Sequence, residues 1–179
     1  MTQTKDAVSA DNNDTQVSGL YDPLTELYNK PLFIQVMESL LRISMRQRMP
    51  VSLVIACIDH YSELREKYGL PQAHHLIKSG ADTIKSLSRD SDILAHFEEN
   101  QFALLLYNCN QQNATKVTER LCSEIESNLS INDEKITFNV GLSTFGETND
   151  GNNKTAKQVA EELISGALRD LSVQENTVR

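Results

Sequence analysis

The feature that most restricts the fold of this chain is the segment Val51–Ile58, an almost unbroken apolar run. It is rich in β-branched residues, and only Ser52 interrupts its apolar character. A strand of this composition offers no polar face to water, so other elements have to cover both of its faces. The segment therefore predicts a central strand, bounded by Pro50 before it and Asp59 after it.

The remaining pattern alternates between helix and strand. Apolar residues at helical spacing predict a helix over residues 31–48, beginning at Pro31 after Asn29 or Lys30. Further helices are predicted at about 60–67, 71–88, 111–128 and 155–171, and strands at Ile93–Phe97, Phe102–Tyr107 and Lys135–Leu142. Residues 98–101 connect the first two of these strands as a tight hairpin. The core order β-αα-ββ-α-β predicts an α+β, ferredoxin-like fold, with helices packed on a mostly antiparallel sheet.

Chain length and composition suggest how the domain is bounded. The 179 residues fit one domain, and a hydrophobic content of 39% supplies a core without disulfide or metal staples. Residues 1–20 are polar and contain few large apolar groups, which predicts a disordered tail. The domain is expected to span 21–172, with a frayed tail at 173–179.

Net charge argues against several classes of partner. A formal charge of −8 repels nucleic acid and anionic lipid. The short basic run Arg42, Arg46 and Arg48 is interpreted as the solvated side of a helix. No apolar run approaches the roughly 20 residues of a membrane span, and the first residues lack a secretion-signal pattern. A cytoplasmic protein that binds neither nucleic acid nor membrane is expected.

Cysteine and histidine spacing gives no sign of a metal site or cofactor. Cys57, Cys109 and Cys122 are far apart and are expected to be buried or half-buried free thiols. The adjacent pair His74 and His75 would not share a helix face. No cofactor is therefore predicted.

Several short motifs resemble, in order and spacing, those of one bacterial family. Residues 22–30 (DPLTELYNK) resemble D-x-L-T-G-L-x-N-R, and Ile58–Tyr61 resembles the end of a D-I-D-x-F segment. The segment 96–102 (HFEENQF) lies where R-Y-G-G-D-E-F would stand. Tyr68-Gly69, Glu119-Arg120 and Val140–Ser143 resemble the family's Y-G-H, A-E-R and S-x-G-x-A. These motifs resemble the GGDEF domain, the fold of diguanylate cyclases, over about residues 21–172, and imply a nucleotide-cyclase-like architecture.

The resemblance implies that the metal-binding carboxylates of a cyclase are absent. Cyclases of this family join two GTP molecules using divalent metals held by carboxylates. The family's metal-binding Asp falls on Cys57, and the hairpin acids fall on Asn100 and Gln101. Neutral thiol and amide groups are poor replacements for carboxylates toward Mg²⁺. The two hairpin glycines fall on Glu98 and Glu99, which would place carboxylates and side-chain bulk against the phosphates. Phe102 ends this degenerate signature hairpin.

Other nucleotide-binding positions also differ from the family pattern. The two guanine-reading positions fall on Arg65 and His74, and a phosphate-side Lys falls on Ser62. A closing Lys and Arg fall on Ser172 and Asn176. The resemblance therefore implies a non-catalytic, regulatory GGDEF-like domain in bacterial signalling; an active diguanylate cyclase is the less favoured alternative.

One family ligand site could remain. Some members bind cyclic di-GMP at an R-x-x-D motif before the signature, and Arg89 and Asp92 match it in position, with Arg120 matching a further arginine. Paired hydrogen bonds from Arg and acceptance by Asp suit guanine and phosphate. The same residues also fit a structural role, Arg89 at a helix C-terminus and Asp92 in a turn.

The alternative to a cyclic di-GMP receptor is a pure protein-interaction module. Its contact could be the hairpin acids Glu98 and Glu99 beside an exposed Phe97 or Phe102, although a solvated turn over core aromatics explains the same residues. A protein partner is expected in either case, and a homodimer is a further candidate assembly.

Overall fold

A computed structural model describes residues 19–146 and 153–177, with side chains as far as Val173. It contains five helices in the described ranges. They are α1 (Lys30–Gln47), α2 (Tyr61–Tyr68), α3 (Leu70–Leu87), α4 (Gln111–Asn128) and α5 (Ala156–Thr177). The described strands are β1 (Tyr28–Asn29), β2 (Val51–Ile58), β3 (Ile93–Glu98), β4 (Gln101–Tyr107), β5 (Ser130–Ile131), β6 (Glu134–Lys135) and β7 (Phe138–Phe145). None of the described helices is both long and apolar enough to cross a bilayer.

Five strands form one sheet in the order β1-β3-β4-β2-β7. All neighbours in it are antiparallel except β1 and β3, which run parallel. The predicted α+β fold with a mostly antiparallel sheet is confirmed, and the short β1 makes the sheet mixed. Since β1 has only two residues, its strand pattern was too short to detect in the sequence.

Helices cover both faces of the sheet, as the composition of β2 requires. Its residues Val54, Ala56 and Ile58 face one core, which α2, α3 and α4 close. The alternate residues, including Leu53 and Ile55, face a second core closed by α1 and α5. Full burial of a Leu, Ile or Phe side chain stabilises a fold by roughly 1.5–3 kcal/mol. The two cores together hold β2 and the ends of its neighbours in fixed positions.

Local signals fix the bounds of α1. The Asn29 side chain accepts a hydrogen bond from the Leu32 N–H at 3.0 Å, and Pro31 occupies the first turn. Arg48 ends the helix in a left-handed conformation with φ of 55°. The helix thus begins at Lys30, one residue before the predicted start at Pro31, and Asn29 precedes it as its cap.

The hairpin between β3 and β4 is tighter than predicted. The connection has two residues, Glu99 and Asn100, because Glu98 and Gln101 extend the strands and pair with each other. Phe97 and Phe102 are only 4% and 0% exposed. Of the two interpretations of these aromatics, the turn over core aromatics is confirmed and the exposed contact is not, because each ring lies in one of the two cores.

The strand predicted at Lys135–Leu142 is interrupted. The Ile136 N–H bonds to the Leu129 carbonyl, so β6 folds back on β5 as a separate small hairpin. Pairing with β2 begins only at Phe138 and continues to Phe145. Ile136 and Phe138 nevertheless face the same core, as predicted.

The ends of the domain also differ from the sequence boundaries. Gly19 and Leu20 were assigned to the tail, but the carbonyl groups of both accept hydrogen bonds from Asn29. Helix α5 continues to Thr177 instead of fraying after 172. The rest of the predicted tail, residues 1–18, and most of the predicted polar loop, residues 147–152, lie outside the described residues.

Candidate functional site

The turn of the β3–β4 hairpin lies against the end of the central strand. The Asn100 Nδ2 donates to the Cys57 Sγ at 3.0 Å and to the Ile58 carbonyl at 3.2 Å. The Asn100 carbonyl in turn accepts from the Ile58 N–H at 3.0 Å. These two side chains occupy the positions that the resemblance assigns to metal-binding carboxylates, and here they form a neutral amide–thiol contact. Cys57 is 6% exposed.

The donor set at this end of β2 does not suit Mg²⁺ or Mn²⁺. These hard cations prefer carboxylate, carbonyl and water oxygens. The remaining carboxylate, Asp59, accepts from its neighbour's backbone, the His60 N–H, at 3.1 Å and from the Thr137 hydroxyl at 3.2 Å. Within the part of the chain that the structure describes, no group of three His, Cys, Asp or Glu side chains is placed to hold a metal ion.

The two hairpin glutamates are each paired with a cation from a different helix. Glu98 forms an ion pair with Lys30 at the start of α1, and Glu99 forms one with Arg65 on α2. Lys30 also lies 4.5 Å from the centre of the Phe97 ring. The carboxylates are therefore largely neutralised, so repulsion of a polyanion is weaker here than the sequence alone suggested. Arg65, at a guanine-reading position of the family, is held by the hairpin.

The other positions carried over from the family are scattered around this site. His74 is exposed on α3, and Gln101 is the β4 residue in register with Cys57. The Ser172 hydroxyl donates to the Arg169 carbonyl within α5. The side chain of Asn176 lies outside the described residues.

The three residues of the predicted cyclic di-GMP site lie together at a second place. Arg89, Asp92 and Arg120 line one cavity of about 350 Å³ between the α3–β3 connection and α4. Asp92 Oδ2 accepts from the Arg89 backbone N–H at 2.9 Å, and the Asp92 N–H donates to the Arg89 carbonyl at 3.0 Å. The Arg120 Nη2 donates to the Leu87 carbonyl at 2.7 Å. The two-residue motif is thus a closed turn that also faces a cavity.

Sequence reasoning missed further residues of this cavity. Lys116 lies one helical turn before Arg120 on α4, and Asn113 and Asn108 line the same wall. The i, i+4 spacing of Lys116 and Arg120 was a detectable signal, since such residues share a helix face. Cys109 also lines the cavity, and burial raises the pKa of its thiol, with the Arg89 guanidinium opposing the shift. Three cations and one carboxylate therefore surround the cavity, on a protein whose net charge is negative.

None of the three cysteines forms a disulfide; Cys57 and Cys109 are buried and Cys122 is half-buried. This confirms the expectation from their spacing. Burial raises the pKa of the Cys122 thiol, and nearby Glu126 adds to the rise. Cys109 and Cys122 therefore lack the low pKa typical of a reactive cysteine.

A comparison with known protein families identifies the family of this chain. Residues 19–169 match the sequence profile described as "Diguanylate cyclase, GGDEF domain". The chain belongs to the GGDEF family. A curated relative is "Probable diguanylate cyclase DgcT" of Escherichia coli strain K12, 27% identical over 125 residues, which cover 67% of this chain and 27% of that protein. The chain spans less than half the length of the curated relatives it matches.

Solved structures of GGDEF proteins share the fold. The GGDEF domain of DgcB from Caulobacter crescentus, solved in complex with c-di-GMP, aligns with a TM-score of 0.77 at 16% identity, covering 99% of this chain and 96% of that one. Diguanylate cyclase SiaD from Pseudomonas aeruginosa, solved with its activator SiaC, aligns with a TM-score of 0.77 at 19% identity, covering 92% and 61%. At these identities the comparison establishes the fold alone.

Proposed function

We propose that this chain is a non-catalytic GGDEF domain that acts in bacterial cyclic di-GMP signalling by binding a protein partner, with cyclic di-GMP bound at the cavity of Arg89, Asp92 and Arg120. The observation that carries the non-catalytic role is the contact between Asn100 and Cys57. A cyclase needs carboxylates at these positions to hold the ions that neutralise the triphosphate. A neutral amide bonded to a thiol neither requires nor attracts such ions.

The Arg65–Glu99 ion pair supports the same conclusion. It joins a guanine-reading position of the family to a phosphate-facing one, so the two side chains bind each other across the cyclase site. Nucleotide entry would have to separate them and would leave Glu99 close to the phosphates. Because catalysis depends on a complete and preorganised set of groups, several simultaneous replacements argue against residual activity.

The chemistry of the cavity supports a dianionic ligand that also carries purine rings. Arg89, Lys116 and Arg120 can contact phosphate oxygens or purine acceptor atoms, and Asp92 can accept from guanine N–H groups. About 350 Å³ falls within the range of small-molecule sites, 300–1,000 Å³. The GGDEF domain of DgcB, which shares this fold, was solved with c-di-GMP bound.

Calorimetric titration of the purified chain tests the ligand. We expect micromolar binding of cyclic di-GMP and no binding of GTP with Mg²⁺. Arg89→Ala is expected to weaken cyclic di-GMP binding at least about tenfold, since a charge-assisted hydrogen bond is worth roughly 1.5–3 kcal/mol. Arg42→Ala removes an exposed arginine of α1 and serves as the matched control, with unchanged affinity.

A turnover assay with GTP and Mg²⁺ tests the non-catalytic role separately. We expect no cyclic di-GMP formation above a blank without protein. Measurable turnover would overturn that role whatever the titration gives. Equal affinity in wild type and Arg89→Ala would instead overturn the ligand site alone.

A second candidate is an interaction module without a nucleotide ligand. It is favoured by the internal hydrogen bonds of Asp92 and Arg120, which give both residues a structural task. Absence of cyclic di-GMP binding in the titration would select this alternative. A protein partner is proposed in both cases, as SiaC is named the activator of the fold relative SiaD.

A further inference from the structure

His96 on β3 has an unusual pair of neighbours. Its Nδ1 lies 3.0 Å from Asp22 Oδ1, and its Nε2 lies 3.2 Å from the Glu99 backbone carbonyl. The ring stacks on Phe102 with centroids 5.6 Å apart, and the His96 side chain is only 14% exposed. The imidazole is thus held between the opening turn of the domain, residues 21–28, and the turn of the signature hairpin.

The number of N–H groups on the imidazole decides which protonation state satisfies both neighbours. A carboxylate oxygen and a carbonyl oxygen only accept hydrogen bonds. A neutral imidazole carries one N–H, so it can donate to either Asp22 or Glu99 but not to both. The imidazolium form carries two N–H groups and satisfies both neighbours.

We propose that His96 is a pH-dependent clamp that ties the signature hairpin to the opening turn when the imidazole carries both protons. Loss of one proton breaks one of the two bonds, because a lone pair of the ring nitrogen then faces an oxygen lone pair. Histidine is the side chain that ordinarily titrates between about pH 5 and pH 8. The clamp therefore tightens as pH falls and loosens as pH rises, and it acts whether or not a nucleotide binds elsewhere.

Charged groups from each neighbouring element bear on this histidine. Asp22 contributes a carboxylate from the opening turn, and Glu99 a carboxylate that Arg65 of α2 neutralises. On α3, Lys85 donates to the Thr25 carbonyl beside Asp22 at 2.9 Å. The β4 neighbour, Phe102, carries no charge. Asp22 is therefore the charged group in direct contact with the imidazole.

Asp22 is held in its acceptor role. Its Oδ1 also receives the Thr25 N–H at 2.9 Å and the Thr25 hydroxyl at 2.8 Å. Burial alone would raise the pKa of Asp22, but the hydrogen bonds from Thr25 and the proximity of His96 outweigh it and hold the pKa below its ordinary value. Asp22 thus stays ionised over the range in which a histidine titrates.

The proposal is tested by nuclear magnetic resonance on the full chain labelled with ¹⁵N. Long-range ¹H–¹⁵N spectra between pH 5 and 8 report which nitrogens of His96 carry hydrogen, and amide exchange reports opening of residues 98–101. We expect the hairpin amides, corrected for intrinsic exchange rates, to be protected about three- to tenfold more strongly when both nitrogens are protonated. The pH midpoint of His96 protonation and the pH midpoint of the change in amide protection should coincide.

Two variants make the result specific. Asp22→Asn keeps an acceptor oxygen but removes the charge that stabilises an adjacent cation, so the midpoint of hairpin exchange is expected to move to lower pH. His75→Gln changes an exposed histidine of α3 and is expected to leave the midpoint in place. The clamp would be overturned if amide exchange of the wild-type hairpin does not change with the protonation of His96. It would also be overturned if the ring stays in a single neutral tautomer from pH 5 to pH 8. The wild-type comparison decides even if Asp22→Asn fails to fold.

Discussion

At the scale of single residues, the contact between Cys57 and Asn100 places a thiol and an amide at two positions where the family resemblance implies metal-binding carboxylates. Two carboxylates at these positions would repel each other unless a cation lay between them. The amide and thiol remove that repulsion and share a hydrogen bond. The end of β2 is therefore stable without an ion.

Restoring both carboxylates should make stability depend on Mg²⁺. In the double variant Cys57→Asp/Asn100→Asp, like charges about 4 Å apart at an effective dielectric of 20 cost about 4 kcal/mol, so we expect a free energy of unfolding lower by about 2–4 kcal/mol without metal. Millimolar Mg²⁺ should recover part of this loss in urea titrations. Wild type should show no change with Mg²⁺, and the same is expected of Asn100→Asp alone.

If Mg²⁺ does not change the free energy of unfolding of the double variant, the assignment of these two positions to the family's metal site is contradicted. The substitution at Cys57 could be recognised from the sequence by its place in the D-I-D pattern. Its bond to Asn100, like the Lys30–Glu98 pair, could not be derived, because the partners lie 43 and 68 residues apart in the chain. Such contacts depend on the register of the folded sheet.

At the scale of elements, α5 packs so closely against β7 that glycine is required at the contact. A Cβ added at Gly141 would lie 1.9 Å from the Ala167 carbonyl oxygen and 2.7 Å from the Leu171 nitrogen, both backbone atoms. On the helix side of the same contact, a Cβ at Gly166 would lie 2.5 Å from the Ser143 Oγ and 3.1 Å from the Ser143 Cβ, both side-chain atoms. Asp170 of α5 also accepts a hydrogen bond from the Leu142 N–H at 2.9 Å.

The two glycines should respond very differently to alanine. Gly141→Ala must push the helix from the strand, and we expect a loss of about 3 kcal/mol or more in the free energy of unfolding. In Gly166→Ala the Ser143 side chain can rotate, and the gain in helix propensity, about 1 kcal/mol, offsets the crowding. A change within about 1 kcal/mol of zero is expected there. Equal losses in denaturant titrations would contradict this account of the interface.

Helix periodicity predicted α1 to α4 to within about one residue at each end, because each has caps or breakers in the sequence. It predicted α5 six residues too short, since no glycine or proline follows residue 171 to stop the helix. The small hairpin of β5 and β6 was missed because its strands have two residues each. The cavity of Arg89 and Arg120 could be anticipated only from the family motif, since α4 approaches the motif through tertiary packing.

At the scale of the whole molecule, the opening turn joins the start of the domain to the edge of the sheet. Tyr21 bridges to Tyr28, and the Asp22 N–H donates to the Leu27 carbonyl at 2.8 Å. Among the carboxylates of the described residues, Asp22 is partly buried and has a lowered pKa. Its charge therefore links the acidity of the solvent to the stability of the fold.

The sign of this link follows from the direction of the shift. A carboxylate with a folded-state pKa below its ordinary 3.8 stabilises the fold above about pH 3.8, and this contribution is lost as pH falls through the folded value. Asp22→Asn keeps an oxygen for Thr25 but not the charge, so we expect it to be about 1 kcal/mol less stable at pH 7. Urea unfolding from pH 7 to pH 3 should show the difference shrinking below pH 3.8. A constant difference would contradict it.

The attachment of the signature hairpin to the rest of the domain should depend on the salt concentration of the solution. Its turn is tied to α1 and α2 by ion pairs whose four side chains are all at least 40% exposed. Dissolved salt shortens the Debye length from about 30 Å at 0.01 M to about 8 Å at 0.15 M and weakens exposed pairs far more than the apolar cores. The hairpin should thus loosen with increasing ionic strength while the apolar cores keep their structure, so the position of its turn should depend on the salt concentration of the solution.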